Sequence, residues 1–366
     1  MAVPDISVVI PTYNRAGLLP AALDSVFAQT FPGGIEVVVV DDGSKDNTAE
    51  VIRPYLDRGG RVTVRYLPRA NAGVCATRNF GLTQCNGELV AFLDSDDEWE
   101  PGKLARQAAL LSGGVGVVHT DFRYIDPAGR FTDAGPQRPG NPTRGRCLGP
   151  LLAEDRVIFS SVLARRELID AAAAAEPHGD PFDRQWANGQ DYDLLLRLAR
   201  HTAFGYVAEP LTRYRMHDTQ NAMANLPRVF GYHCRVQMAF AARWGRAEGL
   251  PADAGVAAAR EFLYRRADSL YWQRRTHTVV DLCRLADILG LADERFAALA
   301  DKARRPLWLF RVKDSVDRLR IRADKGRSRS GEPPRADHPG QVNRREPTTF
   351  AKGCEPVDEL APRHGR

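Results

Sequence analysis

Residues 6–42 read ISVVIPTYNRAGLLPAALDSVFAQTFPGGIEVVVVDD. Two short apolar runs rich in β-branched residues, at 6–10 and 35–40, predict strands that are buried on both faces. Between them, apolar side chains recur at helical spacing over residues 16–28 and predict an amphipathic helix. Strand, helix and strand in this order are typical of a parallel βαβ unit.

The same alternation continues as far as residue 94. The sequence predicts further strands at 62–66 and 89–93 and further helices at 46–56 and 76–84. We therefore predict an α/β fold with a mostly parallel sheet and helices on both faces. In such sheets the ligand crevice lies beyond the carboxyl ends of the strands, and polar clusters follow three of the predicted strands here.

After residue 100 the pattern becomes less regular and more helical. The sequence predicts a strand at 115–119, a loop at 132–150, helices at 163–175 and 190–199, and a helix-rich stretch from 227 to 322. The remaining residues are rich in Pro, Arg and Gly with few large apolar side chains, which is typical of disorder. We expect a first domain over 1–225, a helical region over 226–322 and a disordered tail over 323–366.

Composition and charge argue against several classes of protein. The 366 residues include 51 Lys and Arg against 46 Asp and Glu, and no apolar run approaches the ~18 residues of a membrane-spanning helix. The start of the chain has no basic leader and is not typical of a signal peptide. Six cysteines without a CxxC pair argue against a zinc ribbon or a disulfide scaffold. We therefore expect a protein of the reducing cytoplasm.

Asp94, Ser95 and Asp96 directly follow the predicted strand at 89–93. Two carboxylates this close together at the end of a strand suit a hard divalent cation whose coordination shell is completed by substrate phosphates. The alternative is structural: Asp96 or Asp97 caps the next helix, and Asp94 belongs to a turn.

Two other polar clusters leave similar alternatives open. Asp41 and Asp42 close the second strand, and they either form an Asx turn or accept hydrogen bonds from a base or ribose. The Gly-containing turn at 71–73 precedes a helix that carries Arg78. The N–H groups of this turn and Arg78 either face phosphates or belong to an ordinary helix start with a solvated arginine.

Together, these residues resemble the motifs of glycosyltransferase family 2 over about residues 4–221. The motifs occur in order and at plausible separations, and this linkage is far more specific than any one of them. They are SVVIPTYNR (7–15), LDSV (23–26), QTF (29–31), VVDDGS (39–44), NAGV (71–74), RN (78–79), GE (87–88), FLDSDDEW (92–99), FD (182–183), QDYDL (190–194) and EPLTRYRMH (209–217).

The resemblance implies a GT-A fold and the transfer of a sugar from a nucleotide-diphosphate donor with inversion at the anomeric carbon. It implies that Asp94, Asp96 and His217 hold Mn²⁺ or Mg²⁺, and that the donor is a UDP-sugar, because the base in this family is usually uracil. The residues that it implies at the donor are Thr12, Tyr13 and Asp41 at the base, Asp42 close by, Arg78 near the diphosphate, and Asp94 and Ser95.

The resemblance assigns the general base to Asp191. The acceptor is a hydroxyl of a glycan, a lipid carrier or a small molecule, and it is a weak nucleophile until a carboxylate removes its proton. Inversion requires this base on the face opposite the leaving group, and therefore far in sequence from Asp94. On residue chemistry alone, Asp191 is an N-cap of the helix predicted at 190–199.

The acceptor-side contacts are predicted next to this base. Trp186, Gln190 and Tyr192 are the candidates, the aromatic ones through stacking on sugar rings. Trp99 is either a further stacking residue or a packing residue. Many relatives have Glu-Asp where this chain has Gln190-Asp191, so a negative charge beside the base is lost.

The positive charge is concentrated in one segment. Residues 302–330 hold eleven Lys or Arg against three Asp or Glu. A basic amphipathic helix at 305–323 suits either peripheral contact with an anionic membrane at its inner face or packing against a domain. The segment lacks a base-reading module, which argues against nucleic-acid binding.

Two other functions are compatible with an α/β core of this kind. A non-catalytic GT-A protein that binds a nucleotide-sugar or a glycan is disfavoured, because Asp94, Asp96, Asp191 and Arg78 are all present. A nucleotidyl- or phosphosugar-handling enzyme is expected to have a Gly-rich, basic phosphate loop near the first strand, and residues 11–15 do not form one. We therefore predict an inverting, metal-dependent glycosyltransferase.

Overall fold

The computed structural model describes residues 5–132, 143–216 and 225–304. Its first elements are β1 (Ile6–Thr12), α1 (Leu19–Phe27) and β2 (Ile35–Asp41). β1 and β2 pair in parallel, from Ile6 opposite Ile35 to Thr12 opposite Asp41. The predicted βαβ unit is confirmed, and the carboxyl ends of its two strands lie side by side.

The other strands join these two in a single eight-stranded sheet. They are β3 (Val62–Pro68), β4 (Leu89–Phe92), β5 (Glu98–Trp99), β6 (Val115–Ile125), β7 (Leu163–Arg165) and β8 (Ala203–Arg215). The strand order is β3-β2-β1-β4-β7-β6-β8-β5. β1 to β4 are parallel, as are β6 and β8, whereas β7 is antiparallel to both neighbours and β5 is antiparallel to β8. The predicted α/β fold with a mostly parallel sheet is therefore confirmed.

Helices connect the strands of the sheet, and further helices come after its last strand in the sequence. They are α2 (Thr48–Val51), α3 (Arg53–Leu56), α4 (Val74–Gln84), α5 (Lys103–Ala108), α6 (Leu148–Ala153), α7 (Arg166–Ala174), α8 (Gln190–His201), α9 (Leu226–Trp244), α10 (Ala254–Trp272), α11 (Thr276–Ile288) and α12 (Glu294–Arg304). A 3₁₀ turn at Phe159–Ser161 precedes β7.

The central strands are buried on both faces, which explains their unbroken apolar sequences. Because successive side chains of a strand point to opposite faces, the two faces have separate cores. Val8 and Val37 pack in one cluster with Leu23 of α1. Val9 and Val38 pack in the other cluster with residues of α4 and α8.

Two helices in the structure differ from the bounds that the sequence predicted. The helix predicted at 46–56 is two short helices, α2 and α3, that meet at Ile52. Pro54 has no N–H to donate and lies in the first turn of α3, where none is needed. The helix predicted at 163–175 begins only at Arg166, because residues Leu163, Ala164 and Arg165 pair with β4 as the strand β7.

The described residues form two compact units that divide between Phe262 and Leu263. The helices after the sheet begin at Leu226, next to the predicted domain end at residue 225. The helix predicted at 305–323 and the tail predicted at 323–366 lie outside the described residues. Within the described part, the cysteines are free and buried, and no helix has the length and apolar character needed to cross a bilayer.

Candidate active site at the carboxyl ends of the central strands

The loop after β4 carries the acidic residues that were predicted to bind a metal. Its backbone forms a turn in which the Asp97 N–H donates to the Asp94 carbonyl at 3.0 Å. The side chains of Asp94 and Asp96 are 37% and 19% exposed, whereas Ser95 between them is buried. Two accessible carboxylates on one loop are the oxygen donors that a hard divalent cation prefers, so the residues fit such an ion.

Asp97 is an internal anchor of this loop. Its carboxylate accepts a hydrogen bond from the Ser160 hydroxyl at 2.6 Å and another from the Arg215 backbone N–H at 3.0 Å. Burial, together with the charges of Asp96 and Asp94, raises the pKa of Asp97 well above its ordinary value. The third acid of the loop therefore holds the loop to the sheet and is not presented to a ligand.

Ser160 joins both ends of the acidic loop. Its hydroxyl also accepts the Asp94 N–H at 3.1 Å, and its carbonyl accepts the Trp99 indole N–H at 2.7 Å. Trp99 is 2% exposed, and the ammonium of Lys103 lies 4.0 Å from the centre of its ring. Trp99 is thus a packing residue, and the sugar-stacking alternative for it is wrong. Sequence reasoning missed Ser160, because only the tertiary fold brings its turn beside residue 94.

Arg78 connects α4 with the acidic loop. Its Nη2 donates to Oδ1 of Asp94 at 2.6 Å, and its guanidinium lies 4.9 Å and 5.5 Å from the ring centres of Phe159 and Phe182. Burial lowers the pKa of Arg78, but the carboxylates of Asp94 and Asp191 outweigh burial and raise it. Nη1 is buried and has no hydrogen-bond partner among the described residues. The arginine therefore has a donor left for an anionic group.

The carboxyl ends of β1 and β2 lie at the same edge of the sheet as the acidic loop, because β1 pairs in parallel with both β2 and β4. Asp41 accepts hydrogen bonds from the Ser44 N–H at 2.8 Å and from the Tyr66 hydroxyl at 2.5 Å. Burial and this bond to Asp41 raise the pKa of Tyr66. Thr12, opposite Asp41 in the sheet, has a buried hydroxyl with no partner in the described structure, and Tyr13 beside it is 45% exposed.

Asp42 organises the turn at 71–73. Its two carboxylate oxygens accept the N–H groups of Ala72 and Gly73, each at 2.9 Å, and its carbonyl accepts the side-chain amide of Asn71 at 2.9 Å. Gly73 has a φ of 86°, which favours glycine, and α4 starts directly after it. Two of the N–H groups that were considered as phosphate donors are therefore occupied by Asp42.

Asp191 lies in the first turn of α8, after Gly189 in the left-handed conformation with a φ of 80°. Its Oδ1 accepts the N–H of Tyr192 at 2.9 Å, and its side chain is half-buried. Its charge acts on Arg78, as noted above, and on Cys75. Burial raises the pKa of the Cys75 thiol to about 11; Arg78 lowers this pKa and Asp191 adds to the rise. The fold thus brings Asp191 into the electrostatic neighbourhood of Arg78.

The predicted acceptor-side residues differ in their surroundings. Tyr192 is 1% exposed, donates to the Leu151 carbonyl at 2.9 Å and stacks on His233 with ring centres 4.2 Å apart. The prediction that it stacks on a sugar is wrong, because its ring belongs to the core. Trp186 is buried, with 8% of its surface exposed. Gln190 is buried, and its Oε1 has no partner in the part of the chain that the structure describes.

The other candidate metal ligands are not part of the acidic loop. His217 lies outside the described residues. Glu176, His178 and Asp183 have ligand atoms within 4.8 Å of one another. However, Glu176 forms a short ion pair with Arg243 and is therefore part of a charge network. Two Arg side chains face this carboxylate, since Arg197 Nε is also 3.8 Å away, and the Glu176 side chain is only 4% exposed, so it is enclosed in the protein and not offered to a cation as Asp94 and Asp96 are.

The sequence of this chain is similar to those of known glycosyltransferases. It matches the family model described as Glycosyl transferase family 2 over residues 7–169. An uncharacterized glycosyltransferase of Nostoc sp. is 33% identical over 234 residues, which cover 60% of this chain and 67% of the relative. Over this relative and two uncharacterized glycosyltransferases, of Rickettsia bellii and Rickettsia typhi, the match spans 31% to 69% of the relatives' own lengths.

Solved structures share the fold. S. aureus TarS in complex with UDP-GlcNAc has a TM-score of 0.56 at 19% identity, over 80% of this chain and 83% of that one. The mannosyltransferase PcManGT from Pyrobaculum calidifontis, in complex with GDP-Man and Mn²⁺, has a TM-score of 0.51 at 19% identity, over 83% of this chain and 85% of that one. These neighbours confirm the predicted GT-A type of α/β fold.

Proposed function

Because this chain belongs to glycosyltransferase family 2, it is a glycosyltransferase, and we propose that it transfers a sugar from a UDP-sugar to a hydroxyl with inversion. The observation that carries this proposal is the pair of Arg78 and Asp94. A buried arginine holds one acid of an accessible two-carboxylate loop and keeps a second, unpartnered donor, Nη1. A diphosphate bound together with a divalent cation would use both the donor and the acids.

The ends of β1 and β2 would hold the nucleotide. The unpartnered hydroxyl of Thr12 offers a hydrogen bond, Tyr13 offers an exposed ring for stacking, and Asp41 is fixed by Ser44 and Tyr66. The UDP-GlcNAc bound to TarS supports a uridine nucleotide, and the GDP-Man bound to PcManGT makes guanosine the alternative to exclude.

Asp94 and Asp96, with His217, would hold Mn²⁺ or Mg²⁺. When bound, such an ion neutralises charge that develops on the diphosphate leaving group. The chain's own cation, Arg78, adds a second positive charge from a site where burial strengthens its interaction with phosphate oxygens. The Mn²⁺ in the PcManGT complex supports the metal dependence.

Asp191 would act as the general base. Its Oδ1 accepts the Tyr192 N–H, so Oδ2 is the atom left to take the proton of the acceptor hydroxyl. The acceptor oxygen then forms a bond to the anomeric carbon, the bond from that carbon to the phosphate oxygen breaks, and the nucleoside diphosphate leaves. The acceptor is a hydroxyl of a glycan, a lipid carrier or a small molecule.

A donor assay with stereochemical readout tests this proposal. The protein is incubated with Mn²⁺ and each of several α-linked UDP-sugars, with water as the acceptor; UDP release is measured, and the anomer of the free sugar first formed is identified by proton NMR. The proposal expects UDP release that EDTA abolishes and a β-configured product. An α-configured product would contradict inversion, and release that persists in EDTA would contradict metal dependence.

A further inference from the structure

The side-chain amide of Asn79 pairs with the backbone of Phe182 in both directions. Nδ2 donates to the Phe182 carbonyl at 2.7 Å, and Oδ1 accepts the Phe182 N–H at 2.8 Å. Asn79 is 5% exposed, so these bonds are shielded from water. The amide thus imitates one rung of a β ladder between segments that are 103 residues apart in sequence.

This pair connects the two halves of the site. Asn79 follows Arg78 on α4, and Phe182 begins the segment that leads to Asp191. A weaker contact between the same two elements supports the connection: the Cys75 thiol donates to the Trp186 carbonyl at 3.3 Å. One face of α4 therefore carries the arginine that reaches the acidic loop and also holds the chain before the base.

Phe182 is itself fixed within the core of the site. It is fully buried, and its ring meets Phe92 and Phe159 edge-on with centres 5.8 Å and 5.7 Å apart. The Arg78 guanidinium lies 5.5 Å from the same ring. These contacts hold the Phe182 ring beside Arg78 independently of Asn79, whereas the Asn79 amide holds the Phe182 backbone, where the segment that leads to Asp191 begins.

We propose that Asn79 is a positioning residue that sets the distance between the donor phosphates and the general base. This inference rests on the function proposed above. Only an amide of this length supplies both the donor and the acceptor that the Phe182 backbone needs. Asp keeps the acceptor but turns a second oxygen toward the Phe182 carbonyl, Gln is one methylene longer, and Ala removes both bonds.

The test compares Asn79→Ala and Asn79→Asp with a control, Thr83→Ala, at an exposed polar position of the same helix. Asn79→Asp keeps the bond from the Phe182 N–H, so the test still has a folded variant if Asn79→Ala does not fold. Three quantities are measured for each: amide hydrogen exchange over residues 180–191, the Kd of UDP with Mn²⁺, and the rate of UDP release from a UDP-sugar.

The expected result is a separation of turnover from binding. In both Asn79 variants, amide hydrogen exchange over residues 180–191 accelerates. Their kcat falls by up to ~100-fold, which is the loss expected when a catalytic group is misplaced by about 1 Å. The Kd of UDP stays within about twofold of the wild-type value. Exchange equal to that of Thr83→Ala, or unchanged kcat despite faster exchange, would overturn the proposal. If the wild type turns over no UDP-sugar, the proposed function fails, whereas the exchange data still report whether Asn79 holds the segment.

Discussion

Arg78 Nη2 donates to Asp94 Oδ1 at 2.6 Å, and the two side chains differ sharply in exposure, at 4% for the arginine and 37% for the aspartate. The cation is therefore fixed in the interior, close to the rings of Phe159 and Phe182, while the anion is partly open to solvent. A buried positive charge disfavours a lone metal ion beside it and favours a metal that arrives with a polyanion. We expect metal and nucleotide to bind this site cooperatively.

Arg78→Gln removes the positive charge and leaves Asp94 without its partner. Because a hydrogen bond to a charged group contributes about 1.5–3 kcal/mol, we expect the UDP Kd to rise by roughly tenfold to a hundredfold. Calorimetry with Mn²⁺ measures the change. The control is Arg58→Gln, an exposed arginine paired with Asp24, and it should leave the Kd unaltered. UDP affinity equal to the wild type in Arg78→Gln would remove this arginine from the donor site.

Asp191→Asn tests the general base. The amide cannot accept the acceptor's proton, so turnover should fall by about 10²–10⁴-fold, while UDP binding is retained because Asp191 is not at the nucleotide. Initial rates of UDP release and a parallel titration give both numbers. Asp170→Asn, at an exposed carboxylate of α7, is the matched control and should keep full activity. Unchanged turnover in Asp191→Asn would exclude this residue as the base.

Ser160→Ala tests the anchor of the acidic loop. The change removes the hydroxyl that binds the Asp97 carboxylate and the Asp94 N–H, so that the buried Asp97 keeps only the bond from the Arg215 N–H and the Asp94 N–H loses this partner. We expect a loss of about 1–3 kcal/mol in the free energy of unfolding and weaker Mn²⁺-dependent UDP binding. Ser161→Ala in the same turn is the control, because Ser161 Oγ donates only to the Ile158 carbonyl. An equal effect of the two variants on UDP binding would show that Ser160 has no special role.

The local sequence pattern predicted those strands and helices whose burial is uniform along their length. β1, α1 and β2 were predicted because a strand buried on both faces has an unbroken apolar sequence and an amphipathic helix has an apolar stripe. The strand β8, Ala203–Arg215, was missed: it contains Pro210, and its pairing with β6 is interrupted by register shifts. Its strand character comes from its neighbours in the sheet and is not visible in its own sequence.

The candidate site likewise combines residues that the local sequence predicts with contacts that depend on the tertiary fold. Polar clusters after three strands were predicted to border the ligand crevice, because the carboxyl ends of neighbouring parallel strands share one edge of the sheet. Ser160 and Asn79 were not singled out for the contacts that they make, since their partners are remote in sequence and depend on the tertiary fold. Tyr192 was assigned to the acceptor from its chemistry alone, and burial overrides that chemistry.

Glu36 on β2 makes stability depend on acid pH. Burial raises its pKa, but hydrogen bonds from Ser7 and Asn86 and the charge of Arg65 outweigh burial and leave the pKa below the ordinary 4.5. The folded protein therefore binds this proton less tightly than the unfolded chain does. The stabilisation from Glu36 is complete above pH 4.5 and is lost as the pH falls through the folded-state pKa.

Glu36→Gln isolates this contribution. At pH 7 the variant should be less stable by about 1.5–3 kcal/mol, because a charged acceptor of several hydrogen bonds is lost. Below pH 4.5 the difference between wild type and variant should shrink. Urea unfolding between pH 3 and pH 7 measures the free energy of unfolding for both. A difference that stays constant over this range would contradict the assignment.

The most direct test of the account is a calorimetric titration with UDP, GDP and dTDP, each with Mn²⁺ and again with EDTA, on the wild type and Asp96→Ala. The donor site is predicted to bind UDP in preference to the other two nucleotides through the ends of β1 and β2, to do so only when Mn²⁺ is present at the acidic loop, and to lose this binding in Asp96→Ala. UDP binding of equal strength in EDTA, or no binding of any of the three nucleotides, would contradict the proposed donor site.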